Sequence, residues 1–454
     1  MHDVARMNDT DQILASRAPR YTSYPTAPHF HAGIDGQTFA SWVRNLPEGM
    51  PLSLYLHIPF CDTLCWFCGC HTTVVNNYRP VSGYLDTLLA EMSMIAGLLG
   101  ARRTVTHIHW GGGSPTILSP QDIVRLDQHT RMLFNVEPEA EFAIEIDPRG
   151  FTRETAVALA QAGVNRASIG LQDCDPKVQA AINRVQTRTE TRRAVQMLRG
   201  LGIRNINLDL IYGLPNQSAD SIARTVAFAL ALRPSRLAVF GYAHVPGFKK
   251  HQSLIAQNTL PGPRERLDQE ALMHALLTAG GCRAIGLDHY ARADDPLFAA
   301  AYEGRLGRNF QGYTTDRAPA LIGFGASAIS SLPQGYAQNA TATAAWRALV
   351  ESGKPGTMRG AALTQDDRIR RHVIERLMCD MAVDLADVRG RFALPAGWFT
   401  ADIARLQPLV HNGLIAVHGE KIAVCGAHRQ AARLAAACFD AYLKPEETRH
   451  AVTA

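Results

Sequence analysis

Residues 52–70 read LSLYLHIPFCDTLCWFCGC. Leu52–His57 is a short apolar run of strand-like composition, and Pro59 closes it. Cys61, Cys65 and Cys68 then follow on one loop with the spacing C-x3-C-x2-C, and Cys70 lies two residues further on. Three thiolates on one loop can hold three irons of a cubane cluster and leave the fourth iron open. Four thiols could instead close a tetrahedral zinc site. A zinc knuckle pairs two separated CxxC units, whereas all four thiols here share the loop directly after a strand, so the cluster reading is preferred. Tyr55 and His57 are two apart on the strand and share a face. That face either binds or protonates something beside the cluster, or forms a satisfied inner layer.

Outward from this stretch, short apolar runs alternate with longer amphipathic ones. Strands are predicted at Leu52–His57, Thr104–Trp110, Glu141–Ile146, Arg166–Leu171, Arg204–Leu210 and Arg236–Tyr242. Helices are predicted near Val81–Leu99, Pro120–Phe134, Arg153–Ala162, Thr189–Leu201, Ala219–Leu232 and Arg264–Ala279. Ser119, Pro120 and Asp122 supply a cap oxygen, a preset φ and an acid in the first turn. Six strand–helix units at regular intervals predict a parallel α/β sheet with right-handed crossovers. The pattern leaves open whether it closes, curls into a partial barrel or stays flat. In each case ligands belong beyond the carboxyl ends of the strands.

Those ends carry polar residues that apolar strands do not need. The second strand runs into Gly111-Gly112-Gly113-Ser114, where missing Cβ atoms would let backbone N–H groups approach a ligand. Glu145 and Asp147 close the third strand, Gln172 and Asp173 the fourth, and Asp209 the fifth, with Arg184 in the crossover after the fourth. Each alone reads as a cap or ion-pair member; their recurrence at one rim reads as a binding site for ribose hydroxyls or an ammonium group.

Composition narrows the classes. A formal net charge of +5 over 454 residues does not by itself imply nucleic acid. No window approaches the roughly eighteen apolar residues of a membrane span. Met1–Gln12 is polar without an apolar leader region, so the expected location is the cytoplasm. There a tight cysteine group reads as metal ligands, and the scattered Cys174, Cys282, Cys379, Cys425 and Cys438 read as small buried hydrophobes. Only six of the 46 basic residues are Lys. Arg suits acidic substrates, although codon usage in a GC-rich genome is the simpler cause. Arg20–Ala27 reads as a fixed extended segment. After Gly360 the texture changes to helices such as Asp366–Met378 and short strands near Gly413–His418 and Lys421–Cys425, a small winged-helix-like α/β unit. It has no dense basic stripe, so packing or a lid role is expected over DNA binding.

The motif CxxxCxFC followed by Gly111–Gly113 resembles the radical S-adenosylmethionine superfamily. Within it the chain resembles the coproporphyrinogen-oxidising branch, at residues 19–27 (PRYTSYPTA), 57–70 (HIPFCDTLCWFCGC), 109–116, 209–215 (DLIYGLP), 242–246 (YAHVP), 288–292 (DHYAR) and 308–315 (RNFQGYTT). The resemblance implies an incomplete (β/α)6 barrel with N- and C-terminal additions, divided here as 1–50 (extension and substrate lid), 51–359 (catalytic) and 360–454. It implies one 4Fe–4S cluster on Cys61, Cys65 and Cys68, with Cys70 not a ligand. Tyr55, Phe67, Gly112, Glu145 and Ile329 would contact a first S-adenosylmethionine. Gly113, Ser114, Gln172, Arg184, Asp209 and Ala243 would contact a second; Ser114 replaces the family's usual Thr and keeps the hydroxyl. Catalytic roles fall to Tyr55, His57 and Glu145. A 5′-deoxyadenosyl radical would convert two propionates of coproporphyrinogen III to vinyl groups, giving protoporphyrinogen IX in haem biosynthesis. The enzyme would be a monomer fed by a reductant such as flavodoxin or ferredoxin. A related branch carries haem instead; it typically lacks the fourth cysteine and the N-terminal PRYTSYP segment, and both are present. A zinc-bearing regulatory module is the third reading.

Overall fold

The computed structural model describes residues 9–14, 16 and 18–443. Positions 1–8 and 444–454, at the two ends of the expected outer units, lie outside the described residues. The core strands are β1 (Leu52–Ile58), β2 (Thr104–Gly112), β3 (Asn135–Ile146), β4 (Arg166–Gln172), β5 (Asn205–Tyr212) and β6 (Arg236–Gly241). The helices after them are α1 (Arg79–Leu99), α2 (Pro120–Leu133), α3 (Arg153–Ala162), α4 (Arg188–Gly200), α5 (Ala219–Ala231) and α6 (Pro263–Ala279). Their starts are chemically marked. Ser119 accepts from the Asp122 N–H ahead of Pro120, and Thr187 with Glu190 forms a reciprocal capping box on α4.

β1 to β6 pair in chain order, all parallel. Beyond β6 the short strands His289–Ala291 and Arg283–Ile285 add antiparallel. Beyond β1, Ala320–Phe324 pairs parallel, and Ile329–Leu332, Gly335–Asn339 and Thr357–Ala362 continue antiparallel. Among the described residues this is one twelve-stranded sheet whose two edge strands do not pair with each other. It is the six-unit α/β core of an open barrel, widened at both edges by strands that the periodicity did not announce. The apolar residues of β1–β6 and of the helices behind them form one continuous core.

A second core lies around helix Gln365–Asp380, with a three-stranded sheet (Ala382–Asp384, Lys421–Val424, Ile415–His418) and the helix Leu385–Phe392. The expected division between 359 and 360 falls inside the strand Thr357–Ala362. Gly360 pairs with Ala337, and a Cβ there would meet the Tyr336 carbonyl, so residues 360–362 belong to the large sheet. Tyr21 and Tyr24 of the N-terminal segment are buried in the second core. The Tyr21 hydroxyl donates to Asp440 Oδ2 at 3.0 Å, and the Tyr24 hydroxyl accepts from the Ala441 N–H at 2.9 Å. The N-terminal segment therefore packs on the C-terminal unit. No helix among the described residues is long and apolar enough to cross a membrane.

Candidate active site

β1 ends at Ile58, and the chain turns through Phe60–Cys61 into the cysteine loop. The loop is not regular, so its backbone polar groups are met from outside it. Asn183 donates to the Leu64 carbonyl (2.9 Å), His251 Nε2 lies 2.7 Å from the Cys68 carbonyl, and Gln252 donates to that of Phe67 (3.2 Å). Cys65 is buried, Cys61 and Cys68 are half-buried, and Cys70 is exposed.

The sulfurs are met by donors. Thr72 Oγ1 donates to Cys61 Sγ at 3.2 Å and the Cys70 N–H to Cys68 Sγ at 3.4 Å. Arg149 and Arg184 both donate to Cys65 Sγ, at 3.4 and 3.5 Å. Burial pushes the Cys61 thiol up to about 11, while contact with Cys70, against burial, draws Cys68 down to about 6. Among the described residues no three His, Cys, Asp or Glu side chains gather closely enough to hold a single ion. Cys61, Cys65, Cys68 and Cys70 instead line one cavity, and ligands to separate corners of a cluster need not converge on a single ion. N–H donors directed at sulfur are the outer contacts that thiolate-held clusters use. The residues present fit such a cluster.

The cavity lies beyond the carboxyl ends of β1–β5. Phe67, Gly112, Gly113, Ser114, Glu145, Gln172, Arg184 and Asp209 all line it. Four expected residues do not line it: Tyr55 and His57, which form the layer beneath, and Ile329 and Ala243. Ile329 packs with Phe30 and Tyr336 in the added edge strands, although its backbone would touch a Cβ at Gly323, the partner of Tyr55. Ala243 lines a neighbouring cavity walled by arginines.

Glu145 Oε2 accepts the Gly112 N–H at 3.0 Å, and Oε1 lies 3.2 Å from His109 Nε2. Burial opposes its charge, but these two contacts and the imidazole's field hold its carboxyl below the usual value. Asp209 accepts from Ser168 (3.1 Å) and Asn207 (2.7 Å), yet burial and the Glu145 charge push it up to about 6. Arg184 bonds Asp147 (3.0 Å) and the Gly170 carbonyl (2.8 Å). Gln172 sits at φ 64° where the β4–β5 register shifts, a left-handed residue at a bulge beside a site.

The glycine run works differently from the expectation. The N–H of Gly112 goes to Glu145, that of Gly113 to the Ile58 carbonyl (2.9 Å), and that of Ser114 to the Phe60 carbonyl (2.8 Å). The missing Cβ atoms make room for protein: one at Gly111 would lie 2.7 Å from Glu145, one at Gly112 2.5 Å from His57, and one at Gly113 2.5 Å from the Phe60 oxygen. Tyr55 and His57 form the inner layer. Tyr55 OH lies 2.9 Å from His57 Nδ1, and His57 Nε2 lies 3.1 Å from the His71 carbonyl. That carbonyl fixes the proton on Nε2, so Nδ1 accepts from the phenol and neither ring nitrogen faces the cavity. Burial keeps the imidazole neutral.

His109, Ser168, Thr72 and Arg149 were not anticipated. Ser168 is legible only once β3, β4 and β5 are in register, and Thr72 only once the loop folds back.

The radical SAM superfamily model matches residues 55–229. An oxygen-independent coproporphyrinogen III oxidase of Bradyrhizobium diazoefficiens is 47% identical over 434 residues, covering 96% of each chain. The chain belongs to the oxygen-independent coproporphyrinogen III oxidase family. The family's Escherichia coli K12 member is 42% identical over 429 residues, covering 94% of this chain and 93% of that one. A solved structure of an Escherichia coli coproporphyrinogen III oxidase, described as a radical SAM enzyme, superposes with a TM-score of 0.89 at 41% identity, covering 93% of this chain and 98% of that one. The fold inferred from the six units is thus the family's fold, and membership implies a 4Fe–4S cluster and S-adenosylmethionine.

Proposed function

We propose that this chain oxidatively decarboxylates two propionates of coproporphyrinogen III to vinyl groups, giving protoporphyrinogen IX in haem biosynthesis. The observation that carries the reading is the cavity beyond the strand ends, where three cysteines of the family motif face Glu145, Gln172, Arg184 and Asp209. Held by Cys61, Cys65 and Cys68, a cluster would supply an electron to bound S-adenosylmethionine, and the nucleotide a radical able to take a hydrogen atom from the propionate β-carbon, with carbon dioxide lost and the remaining electron passed to an external acceptor.

The chain's own residues hold and orient. Cys61, Cys65 and Cys68 are the metal ligands, with Thr72, Arg149, Arg184 and the Cys70 N–H supporting the sulfurs. Glu145, ionised by His109 and Gly112, is an acceptor for a cationic amino group. Asp209 is suited to a ribose hydroxyl or a second cation. Tyr55 and His57 position the strand beneath the cluster instead of exchanging protons with the cavity. Three of the five contacts expected for one S-adenosylmethionine (Phe67, Gly112, Glu145) and five of the six expected for a second (Gly113, Ser114, Gln172, Arg184, Asp209) line this space, in support of two molecules. The N-terminal segment and the unit after residue 362 act as a lid. A small acidic reductant such as flavodoxin or ferredoxin feeds a monomeric, cytoplasmic enzyme.

The test is anaerobic reconstitution with iron and sulfide, then turnover of coproporphyrinogen III with S-adenosylmethionine and reductant, read by porphyrin fluorescence after oxidation. Wild type should be brown and active, and C61S pale and inactive. Haem binding without turnover would replace this reading with the carrier one; a colourless protein with stoichiometric zinc would end both.

A further inference from the structure

Beside the cysteine cavity, at the ends of β5 and β6, lies a second cavity. Four guanidinium groups reach it from four parts of the chain: Arg20 of the N-terminal segment, Arg266 of α6, Arg308 of the hairpin Gly307–Thr314 and Arg433 of the C-terminal unit. Two carboxyls share it, Glu270 and Asp288. Asp288 is already engaged by His289 Nδ1 at 2.7 Å and lies 3.8 Å from Arg308. Burial raises Glu270 above its ordinary value. Four guanidinium groups against two carboxyls leave positive charge in excess.

Arg308 is the most telling of the four. Its side chain is 5% exposed and its Cζ stands 4.4 Å over the Tyr313 ring. Nη2 donates to the Arg20 carbonyl (3.3 Å), but Nε and Nη1 are buried with no hydrogen-bond partner. A buried guanidinium with open donors is costly unless something accepts from it. Two neighbouring N–H groups of one guanidinium match the two oxygens of a carboxylate. The surroundings press the same way: burial and the charge of Arg20 pull Arg433 down to about 9, a penalty that a bound anion would relieve. Ala243, on the same wall, lies two residues beyond the end of β6, so the cavity lies at the end of the sheet where the cysteines stand.

We infer that Arg20, Arg266, Arg308 and Arg433 form a carboxylate subsite that takes a propionate arm of the tetrapyrrole substrate and so positions the ring over the cysteine cavity. The inference rests on the activity proposed above. The same chemistry could be met by the amino-acid end of S-adenosylmethionine, and the two sources separate by experiment.

The anaerobically reconstituted full-length enzyme is compared with R308Q, R308K and R20Q. Arg20 is exposed, so R20Q tests the subsite without disturbing a core. Loss of one charge-assisted contact should raise KM for coproporphyrinogen III, and Kd for coproporphyrin III by fluorescence quenching, about 10- to 100-fold. The effect on kcat should be smaller, the Kd for S-adenosylmethionine should be unchanged, and R308K should recover part of the loss. Coproporphyrin III tetramethyl ester should bind wild type weakly and be indifferent to R308Q. Equal weakening of S-adenosylmethionine would assign the subsite to the cofactor and overturn the inference. So would unchanged porphyrin affinity in R20Q, alongside R308Q or alone if R308Q fails to fold. A wild type that neither binds nor turns over the porphyrinogen would instead defeat the proposed function.

Discussion

Gly113→Ala tests how the glycine run supports the cysteine loop. A Cβ at Gly113 would stand 2.5 Å from the Phe60 oxygen, 2.7 Å from its nitrogen and 2.9 Å from its carbonyl carbon. To reach the 3.4 Å of ordinary contact the oxygen must retreat by about 0.9 Å. All three atoms are backbone, so no rotamer relieves the clash. The movement stretches the bonds from Gly113 N–H to Ile58 and from Ser114 N–H to Phe60, each worth about 0.5–1.5 kcal/mol. Overpacking adds about 1–3 kcal/mol, so the expected loss is about 2–6 kcal/mol, concentrated one residue before Cys61. Gly97 is the internal control. It lies within α1 with nothing within 4 Å of an added methyl, so G97A should gain up to about 1 kcal/mol. Anaerobic thermal unfolding and iron per chain after reconstitution report the two effects. G113A should melt earlier and retain less iron, and G97A should do neither. Wild-type melting and iron content in G113A would refute the reasoning, as would equal damage from G97A.

Asp209, raised to about 6, favours the folded state fully below the usual carboxylate pKa, and that contribution is lost as pH rises through about 6. D209N in cofactor-free protein should therefore gain melting temperature over wild type between pH 5 and pH 8; a pH-independent difference would contradict the assignment. R184Q removes one of two guanidinium groups from Asp147 and one donor from Cys65, and should cost about 1.5–3 kcal/mol by denaturant titration. D147N should cost more, since it strands both guanidinium groups, and the reverse order would argue against this network. Y21F leaves Asp440 without its buried phenol donor and should cost about 1–3 kcal/mol, with faster tryptic cleavage at Arg20; an unchanged cleavage rate would show that the chain ends are not held by this contact.

The strand and helix pattern of the core was legible because parallel strands buried on both faces are nearly continuous apolar runs, and helix starts carry local capping chemistry. Ser119 and Asp122 do what their spacing implied. The edge strands were hidden for the opposite reason. Ile329–Leu332 and Gly335–Asn339 are short, rich in Ser, Gly and Asn, and pair antiparallel with each other and with their chain neighbours at the sheet edge. Cys61, Cys65 and Cys68 stood out by their spacing and by their place on one loop after a strand, and the polar strand ends by their cost in an apolar run. The role of the glycines could not, since it depends on which backbone lies opposite, and Gly113 meets Phe60 only through tertiary packing. The arginine cavity was equally invisible: residues 20, 266, 308 and 433 share no local pattern, and composition hinted only that Arg outnumbers Lys.

The charges within the cysteine cavity are sorted by sign. Ser168 pairs in register with Glu145 on one side and Asn207 on the other, and gives its hydroxyl to Asp209, so the two carboxyls sit on β3 and β5 with β4 between them. Glu145 is held ionised by a main-chain N–H and an imidazole, and its charge helps lift Asp209 to about 6. Two acids in one cavity thus have separated titrations, the pattern by which sites assign different tasks to like groups. One negative charge is permanent, and the second is favoured by the arrival of a cation. A sulfonium nucleotide with an ammonium group is such a ligand. On the other side, Arg149 and Arg184 hold Asp147 ionised and turn their remaining donors to Cys65, where an anionic thiolate-held cluster would gather negative charge. The carboxyls Glu145 and Asp209 and the guanidinium groups Arg149 and Arg184 thus line one cavity, brought there by the register of β3, β4 and β5 and by the crossover carrying Arg184.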